Sequence, residues 1–251
     1  MKFTKNRFSD SIKTQFIPEF KKLSPNYIDE NRELVEAFFN QHINKNNDFN
    51  GSFLVAKNGQ VIFEKYQGKA NFSKNQFITK NTPIHLASIS KVLTAEAIFR
   101  LIDAHKITLQ DKVVDVLPQF PYPLITIKML LNHRSGLPKY SNFTDLEEIW
   151  DQKKMLHNSD ILDLLYKHKF PLDFNPDTKF AYCNTNYAIL ALVIEKITNT
   201  SYKKAMQKLV FTPLKMKDTF VFEIEKDSSS VSQSYKGCHV KIPFDFLDAV
   251  Y

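Results

Sequence analysis

The sequence has 251 residues, of which 43% are hydrophobic and 24% charged, and it carries a net charge of +7. This length allows one large domain or two small ones, and the composition excludes an intrinsically disordered chain. No apolar run approaches the roughly 18 residues of a membrane-spanning helix, and the charged N-terminal segment lacks the apolar core of a signal peptide. Two cysteines, Cys183 and Cys238, are too few for a disulfide-stapled scaffold or a four-cysteine zinc site. The histidines are scattered without metal-ligand spacing, and we expect no metal and no other cofactor.

The excess of basic residues is compatible with a nucleic-acid-binding protein. Only four of the 34 basic residues are arginine, however, and the lysines are spread along the whole chain. We therefore expect no nucleic-acid partner. A steep loss of DNA affinity with rising salt would support the alternative.

The chain is predicted to begin with a polar lead-in, residues 1–28, followed by a helix. From Asp29 onward apolar residues recur at helical spacing, and Asp29 or Asn31 is the expected N-cap. The apolar positions are Leu34, Val35, Phe38, Phe39 and Ile43.

A β-hairpin is predicted next. The β-rich segments Ser52–Lys57 and Gln60–Tyr66 are joined by the pair Asn58-Gly59. Asparagine followed by glycine tolerates the positive φ angles of a two-residue turn, so the two segments are expected to pair as antiparallel strands.

Residues 82–216 are predicted to be mostly helical. The segment Ile89–Ala104 is apolar on almost every side, which predicts a helix buried inside the protein. Further helices are predicted at Thr126–Leu131, Asp160–Tyr166, Asn186–Ile197 and Tyr202–Leu209. With no other strand recognisable before Tyr251, the class is α+β with a segregated helical region. The apolar ending Phe244–Tyr251 suggests a chain that stops in mid-structure.

Ser88 and Lys91 form a Ser-x-x-Lys motif at the start of the predicted buried helix. Residues three apart share a helix face, so the lysine amine can reach the serine hydroxyl. Burial disfavours the charged amine, which would let Lys91 accept the serine proton, and the helix N-terminus would stabilise an oxyanion. The same motif at Ser201–Lys204 lies among solvated lysines, where Ser201 is better explained as a helix N-cap.

A tyrosine two residues before an asparagine occurs at Tyr140/Asn142 and at Tyr182/Asn184. Tyr140 is expected in a loop. Tyr182 directly precedes a predicted helix, from which its phenol and the amide of Asn184 could face a cleft. A phenol close to a lysine can relay protons, and an amide can orient a substrate carbonyl. Taken singly, each of these motifs is more often structural than catalytic.

Four segments in this order resemble penicillin-binding serine hydrolases of the class C β-lactamase and D-alanyl-D-alanine carboxypeptidase type. They are residues 84–91, residues 109–118, residues 130–138 ending in Ser-Gly-Leu-Pro, and residues 180–187 followed by Pro213-Leu214-Lys215-Met216. The resemblance runs from about Asp29 to Phe222. It implies a β-lactamase/transpeptidase-like α+β fold, with residues 29–251 forming one domain, and a location in the cell envelope or periplasm.

The resemblance also implies roles for four residues. Ser88 matches the acylated nucleophile, and Lys91 matches its partner in proton transfer. Tyr182 matches the tyrosine that relays the proton to the leaving group, and Asn184 matches the amide that binds substrate. Either Lys91 or Tyr182 is the general base. The turn at residues 133–136 is expected to be structural. The implied substrate is an amide or ester: a β-lactam, a D-amino-acid peptide or a small ester.

The sequence departs from the family in one respect, because no Lys-Thr-Gly or His-x-Gly motif follows Tyr182. In the family that motif lies on a strand that supplies the second oxyanion donor. We therefore expect a chain that resembles the N-terminal part of the fold, with the C-terminal strands missing. The alternative to a hydrolase is an inactive, truncated family member that binds a peptide or a partner without turnover.

Overall fold

The computed structural model describes residues 20–236 and 240–242. Residues 1–19 of the predicted lead-in, the apolar ending Phe244–Tyr251 and Cys238 lie outside the described residues. The described chain forms two compact units, one of residues 86–222 and one of residues 20–85, 223–236 and 240–242. Helices and small antiparallel sheets give the predicted α+β class. None of the described helices is long and apolar enough to cross a lipid bilayer.

The unit that contains residues 20–85 begins with helix α1, Pro25–Phe38. Ser24 is the N-cap and accepts a hydrogen bond from the backbone N–H of Tyr27. The proline that follows fits the first turn because its missing N–H would have no partner inside the helix. The predicted caps, Asp29 and Asn31, are therefore wrong, and the helix starts at the serine-proline pair.

Helix α1 continues as one wide turn, Phe39–Ile43. Phe39 is fully buried, and its ring centroid lies 5.1, 5.2 and 5.9 Å from those of Phe49, Phe53 and Phe63. Three other large apolar residues of the predicted helical stripe are exposed, namely Leu34, Phe38 and Ile43. A cluster of four phenylalanines is thus the centre of packing between this helix and the strands beside it.

Strands β1, Gly51–Lys57, and β2, Gln60–Gln67, form the predicted antiparallel hairpin. Asn58 and Gly59 in the turn have φ angles of 52° and 71°. Two consecutive positive φ angles are what a tight two-residue hairpin turn requires, so the hairpin prediction is confirmed.

Four further strands make two more antiparallel sheets in the same unit. They are β3 Lys69–Asn71 paired with β4 Gln76–Phe77, and β5 Ser234–Lys236 paired with β6 Val240–Ile242. The prediction that no other strand is present before Tyr251 is therefore wrong. Each of these strands is two or three residues long, which is too short to show the alternation that identifies a strand in sequence.

The unit of residues 86–222 is helical. Its helices are α2 Ser90–Asp103, α3 Val113–Val116, α4 Ile127–Leu131, α5 Ser141–Thr144, α6 Asn158–His168, α7 Asn184–Thr198 and α8 Tyr202–Met206. All the helices predicted in this region are present. Nine of the 15 residues of α7 are buried, and this helix packs against α2, α3, α4, α6 and α8. It is therefore the central element of the unit.

Helix α2 is buried on one face only. Lys91, Thr94 and Ile98 recur at helical spacing and are buried, whereas Val92 on the opposite side is 69% exposed. The prediction that this helix lies wholly inside the protein is therefore wrong. As a result, Lys91 is drawn into the interior while Ser88, just before the helix, stays accessible.

Candidate active site

Ser88 and Lys91 lie at the N-terminal end of α2. Ser88 is exposed and sits in a short 3₁₀ turn, Ala87–Ile89, directly before the helix. Lys91 is 5% exposed, and its Nζ lies 3.2 Å from the Oγ of Ser88, within hydrogen-bond distance. Ala87 has a φ angle of +47°, in the left-handed region that residues with a Cβ avoid. The backbone is therefore strained next to the exposed hydroxyl.

Tyr182 brings a phenol to the same hydroxyl. The Oη of Tyr182 lies 2.7 Å from the Oγ of Ser88, and a hydrogen bond joins the two. The Nζ of Lys91 lies 5.3 Å from the centre of the Tyr182 ring and 5.7 Å from that of Tyr187, within the range of cation–π attraction. Three of the four candidate residues named from the sequence therefore come together at one point.

Asn184, the fourth candidate, is the first residue of α7, and Cys183 is the N-cap. The helix begins two residues earlier than predicted, so the amide of Asn184 belongs to its first turn. The Sγ of Cys183 is buried 3.6 Å from the carbonyl oxygen of Pro138, and burial raises the pKa of this thiol. Cys183 therefore packs as a neutral residue between the candidates Tyr182 and Asn184.

The second copies of both motifs have structural positions. Ser201 is the N-cap of α8 and accepts from the N–H of Lys204, as predicted. Tyr140 is buried at the start of α5, and its backbone N–H donates to the Oγ1 of Thr185 at 2.9 Å. Within residues 20–236 and 240–242, no three histidine, cysteine, aspartate or glutamate side chains are grouped as a metal site.

The loop that carries Tyr182 consists of residues 169–183, between α6 and α7. It is hydrogen-bonded to the turn formed by residues 133–137. Three backbone N–H groups of the loop donate to carbonyl oxygens of the turn over 2.8 to 3.0 Å; the pairs are Ala181 to His133, Asp177 to Arg134, and Asp173 to Gly136. The guanidinium of Arg134 also donates to the carboxylate of Asp177 at 2.6 Å. The phenol is therefore held by a backbone ladder rather than by its own side chain alone.

Gly136 allows the turn and the loop to approach each other. Its φ angle is +77°, and a Cβ at this position would lie 2.1 Å from the carbonyl oxygen of Phe174. No other residue type fits here unless the loop moves, because glycine alone combines this backbone conformation with an absent side chain.

Behind the loop lies a buried polar network of His133, Ser135 and Asn186. The Nδ1 of His133 accepts from the backbone N–H of Cys183 at 3.3 Å and lies 3.1 Å from the Nδ2 of Asn186. The hydroxyl of Ser135 donates to the Oδ1 of Asn186 at 2.6 Å. All three side chains are less than a tenth exposed. Burial, together with the nearby charge of Lys91, lowers the pKa of His133.

The family model described as "Beta-lactamase" matches residues 38–242, which is most of the chain. The chain belongs to the β-lactamase family. Penicillin-binding protein 4* of Bacillus subtilis (strain 168) is 35% identical over 191 residues, which are 76% of this chain and 42% of that protein. Teichoic acid D-alanine hydrolase of Staphylococcus aureus is 30% identical over 191 residues, which are 74% of this chain and 45% of that protein. This β-lactamase family member thus spans less than half the length of these two relatives.

The crystal structure of FmtA from Staphylococcus aureus has the same fold as this β-lactamase family member. The two align with a TM-score of 0.73 and 25% sequence identity, over 93% of this chain and 64% of that chain. The match confirms the β-lactamase/transpeptidase-like fold that the four sequence segments indicate. The family named from the sequence is confirmed as well.

Sequence reasoning did not single out the residues that hold Tyr182 in place. The sequence assigns His133 only to a structural turn and Asn186 only to the start of a helix. Asn186 did carry a signal, because a fully buried amide at the start of an otherwise apolar helix needs hydrogen-bond partners. In this β-lactamase family member those partners are Ser135 and His133.

Proposed function

We propose that this chain is a serine hydrolase that forms an acyl-enzyme at Ser88 with an amide or ester substrate. One observation carries the proposal: the Oγ of Ser88 lies 2.7 Å from the Oη of Tyr182 and 3.2 Å from the Nζ of Lys91. A hydroxyl becomes nucleophilic when a base within such a distance takes its proton. Ser88 is also exposed, so a substrate carbonyl can reach it.

Acylation begins when the oxygen of Ser88 attacks the carbonyl carbon while its proton passes to Lys91 or Tyr182. Both are candidates for the base because both lie within hydrogen-bond reach. The carbonyl oxygen becomes negatively charged, and the N–H of Ser88 beside the N-terminus of α2 supplies one oxyanion donor. Tyr182 then gives a proton to the leaving amine or alcohol as its bond to carbon breaks. This is the proton that Tyr182 took from Ser88 or, if Lys91 was the base, its own phenolic proton, which Lys91 replaces. Water hydrolyses the ester that remains and restores the hydroxyl.

The proposed substrate is a β-lactam, a D-amino-acid peptide or a small ester. The names of two relatives, a penicillin-binding protein and a teichoic acid D-alanine hydrolase, support acyl groups of this kind. Asn184 stands two residues from Tyr182 in the first turn of α7. We assign its side-chain amide to the carbonyl of the substrate, which would orient the scissile bond towards Ser88.

Covalent labelling tests the nucleophile directly. The 251-residue chain is incubated with a fluorescent penicillin or a fluorophosphonate, and the adduct is located by peptide mass spectrometry. We expect the adduct on Ser88 and its loss in Ser88→Ala. The matched control is Ser201→Ala, which removes the serine of the second Ser-x-x-Lys motif, the N-cap of α8, and should label as the parent does. Equal labelling of Ser88→Ala and the parent would overturn the assignment. Reversible penicillin binding without an adduct would instead support a non-catalytic binding protein.

A further inference from the structure

His133 lies where the turn 133–137, the loop that carries Tyr182 and helix α7 meet. We propose that it is a positioning residue whose neutral imidazole, protonated on Nε2 only, holds the Tyr182 loop against Ser88. Protonation of the second ring nitrogen would release that loop and switch acylation off. This inference rests on the proposed hydrolase function, to which it adds a requirement for a neutral histidine outside the reacting groups.

The direction of the hydrogen bonds fixes the protonation state. The backbone N–H of Leu137 donates to the Oγ of Ser135 at 3.1 Å, so the hydroxyl hydrogen of Ser135 is free to point at the Oδ1 of Asn186. The backbone N–H of Cys183 donates to the Nδ1 of His133, so that atom is an acceptor. The amide of Asn186 must then present Nδ2, its donor, to the same atom, because Oδ1 in that place would be a second acceptor. Two donors leave the Nδ1 of His133 only the part of acceptor, so the ring proton is on Nε2.

A second proton on His133 would place an N–H on Nδ1 against two other N–H donors. The backbone of Cys183 would lose its acceptor, and Cys183 directly follows Tyr182. The rings of His133 and Tyr182 are also in contact, with centroids 4.6 Å apart. Displacement of this loop therefore moves the phenol, whose distance of 2.7 Å to the Oγ of Ser88 carries the proposed chemistry.

The surroundings of His133 keep it neutral. Among the residues that the structure describes, the titratable groups that face it are Lys91 from α2, Tyr182 and Cys183 from the loop, and Tyr187 from α7, and none of these four is a carboxylate. Burial lowers the pKa of His133 below its ordinary value, and the charge of Lys91 lowers it further whenever that amine is protonated. The rate of acylation should therefore have its full value at neutral pH and fall only as the pH drops below about 6.5.

Two substitutions separate positioning from simple packing. His133→Asn offers an amide oxygen near the place of Nδ1, tolerates the φ angle of +57° at this residue, and cannot be protonated. His133→Leu fills similar space without an acceptor. At pH 8, His133→Asn should label Ser88 within about fivefold of the parent, the effect of one weakened hydrogen bond. His133→Leu should label it about 10²-fold more slowly, as expected for a displaced catalytic group.

The pH profile and two measurements by NMR decide the proposal. The labelling rate of the parent should fall in acid, and His133→Asn should lose the part of that fall that lies below pH 6.5. Nitrogen shifts should show the proton of His133 on Nε2, and hydrogen exchange at the Cys183 amide should be faster in His133→Leu than in His133→Asn. If the parent labels and its pH profile is identical to that of His133→Asn, the proposal is overturned and the hydrolase function is left intact. If the parent never labels, the hydrolase function fails, and a proton on Nδ1 or equal exchange rates would still refute the role of His133.

Discussion

The phenol oxygen of Tyr182 lies 2.7 Å from the hydroxyl oxygen of Ser88, although 94 positions of sequence separate the two residues. Ser88 is fixed by the N-terminus of α2, and Tyr182 is fixed by the turn 133–137 and the start of α7. Since α2 packs directly against α7, both partners are tied to one core. The contact is therefore a property of the packed unit and not of a flexible loop tip.

Tyr182→Phe removes the oxygen next to Ser88 and keeps the ring against His133 and Lys91. We expect the labelling rate of Ser88 to fall by about 10²–10⁴-fold, the usual contribution of a group that transfers a proton. The midpoint of urea unfolding should not change, because Tyr182 is 44% exposed. Tyr166→Phe, at an exposed position of α6, is the matched control and should leave both measurements unaltered. Full labelling of Tyr182→Phe would contradict the proposed proton relay.

Gly136→Ala should loosen the ladder between the turn and the Tyr182 loop. The new Cβ would meet the carbonyl oxygen of Phe174, and the φ angle of +77° disfavours any side chain. We expect a loss of about 1–3 kcal/mol in the free energy of unfolding, together with slower labelling of Ser88. Gly51→Ala is the control, since its Cβ would touch the ring of Phe49 at an ordinary 3.4 Å. A variant as stable and as reactive as the parent would show that the loop can shift freely.

Asn186→Leu tests the buried polar network. The substitution leaves the hydroxyl of Ser135 and the Nδ1 of His133 without their buried partner, which should lower the free energy of unfolding by about 1–3 kcal/mol. The exposed Asn142→Leu in α5 is the matched substitution and should stay within about 0.5 kcal/mol of the parent. Comparable stability of the two variants in urea would mean that the network adds nothing to the fold.

Two phenols should make the protein unstable in alkali. Burial raises the pKa of Tyr122 and of Tyr202 to about 12, whereas in the unfolded chain each ionises near 10. The unfolded state therefore releases protons first, so stability is complete below pH 10 and falls as the pH rises from 10 to 12. The double variant Tyr122→Phe/Tyr202→Phe should show a smaller drop in urea midpoint between pH 9 and pH 11. An unchanged drop would refute the raised pKa values.

Elements with strong local signals could be predicted from the sequence. The hairpin depends on Asn58 and Gly59, whose conformations are set within the turn itself. The start of α1 was missed because the apolar pattern begins after Asp29, while the capping chemistry lies at Ser24. Strands β3 to β6 were missed because pairing between distant short segments leaves no periodic pattern.

In the candidate site, too, contacts within one helix could be predicted from the sequence, whereas contacts between distant segments could not. Lys91 beside Ser88 follows from helical spacing alone, and the burial of Lys91 follows from the apolar residues around it. The proximity of Tyr182 came from a family resemblance, because spacing cannot bring residues 94 positions apart together. The positioning role proposed for His133 could not be inferred from the sequence, since it depends on the directions of hydrogen bonds to Asn186 and Cys183. Those directions exist only after three separate segments have packed.

The ladder between the turn 133–137 and the Tyr182 loop also has a kinetic meaning. It joins segments that are far apart in sequence, and contacts of that kind form late because the entropy of closing the intervening chain must first be overcome. During folding, Ser88 would therefore be present long before its phenol partner arrives. A folding chain would therefore not react with an acylating probe until the Tyr182 loop packs against the turn. The time at which Ser88 becomes reactive towards a covalent probe would then report when the final step of folding occurs.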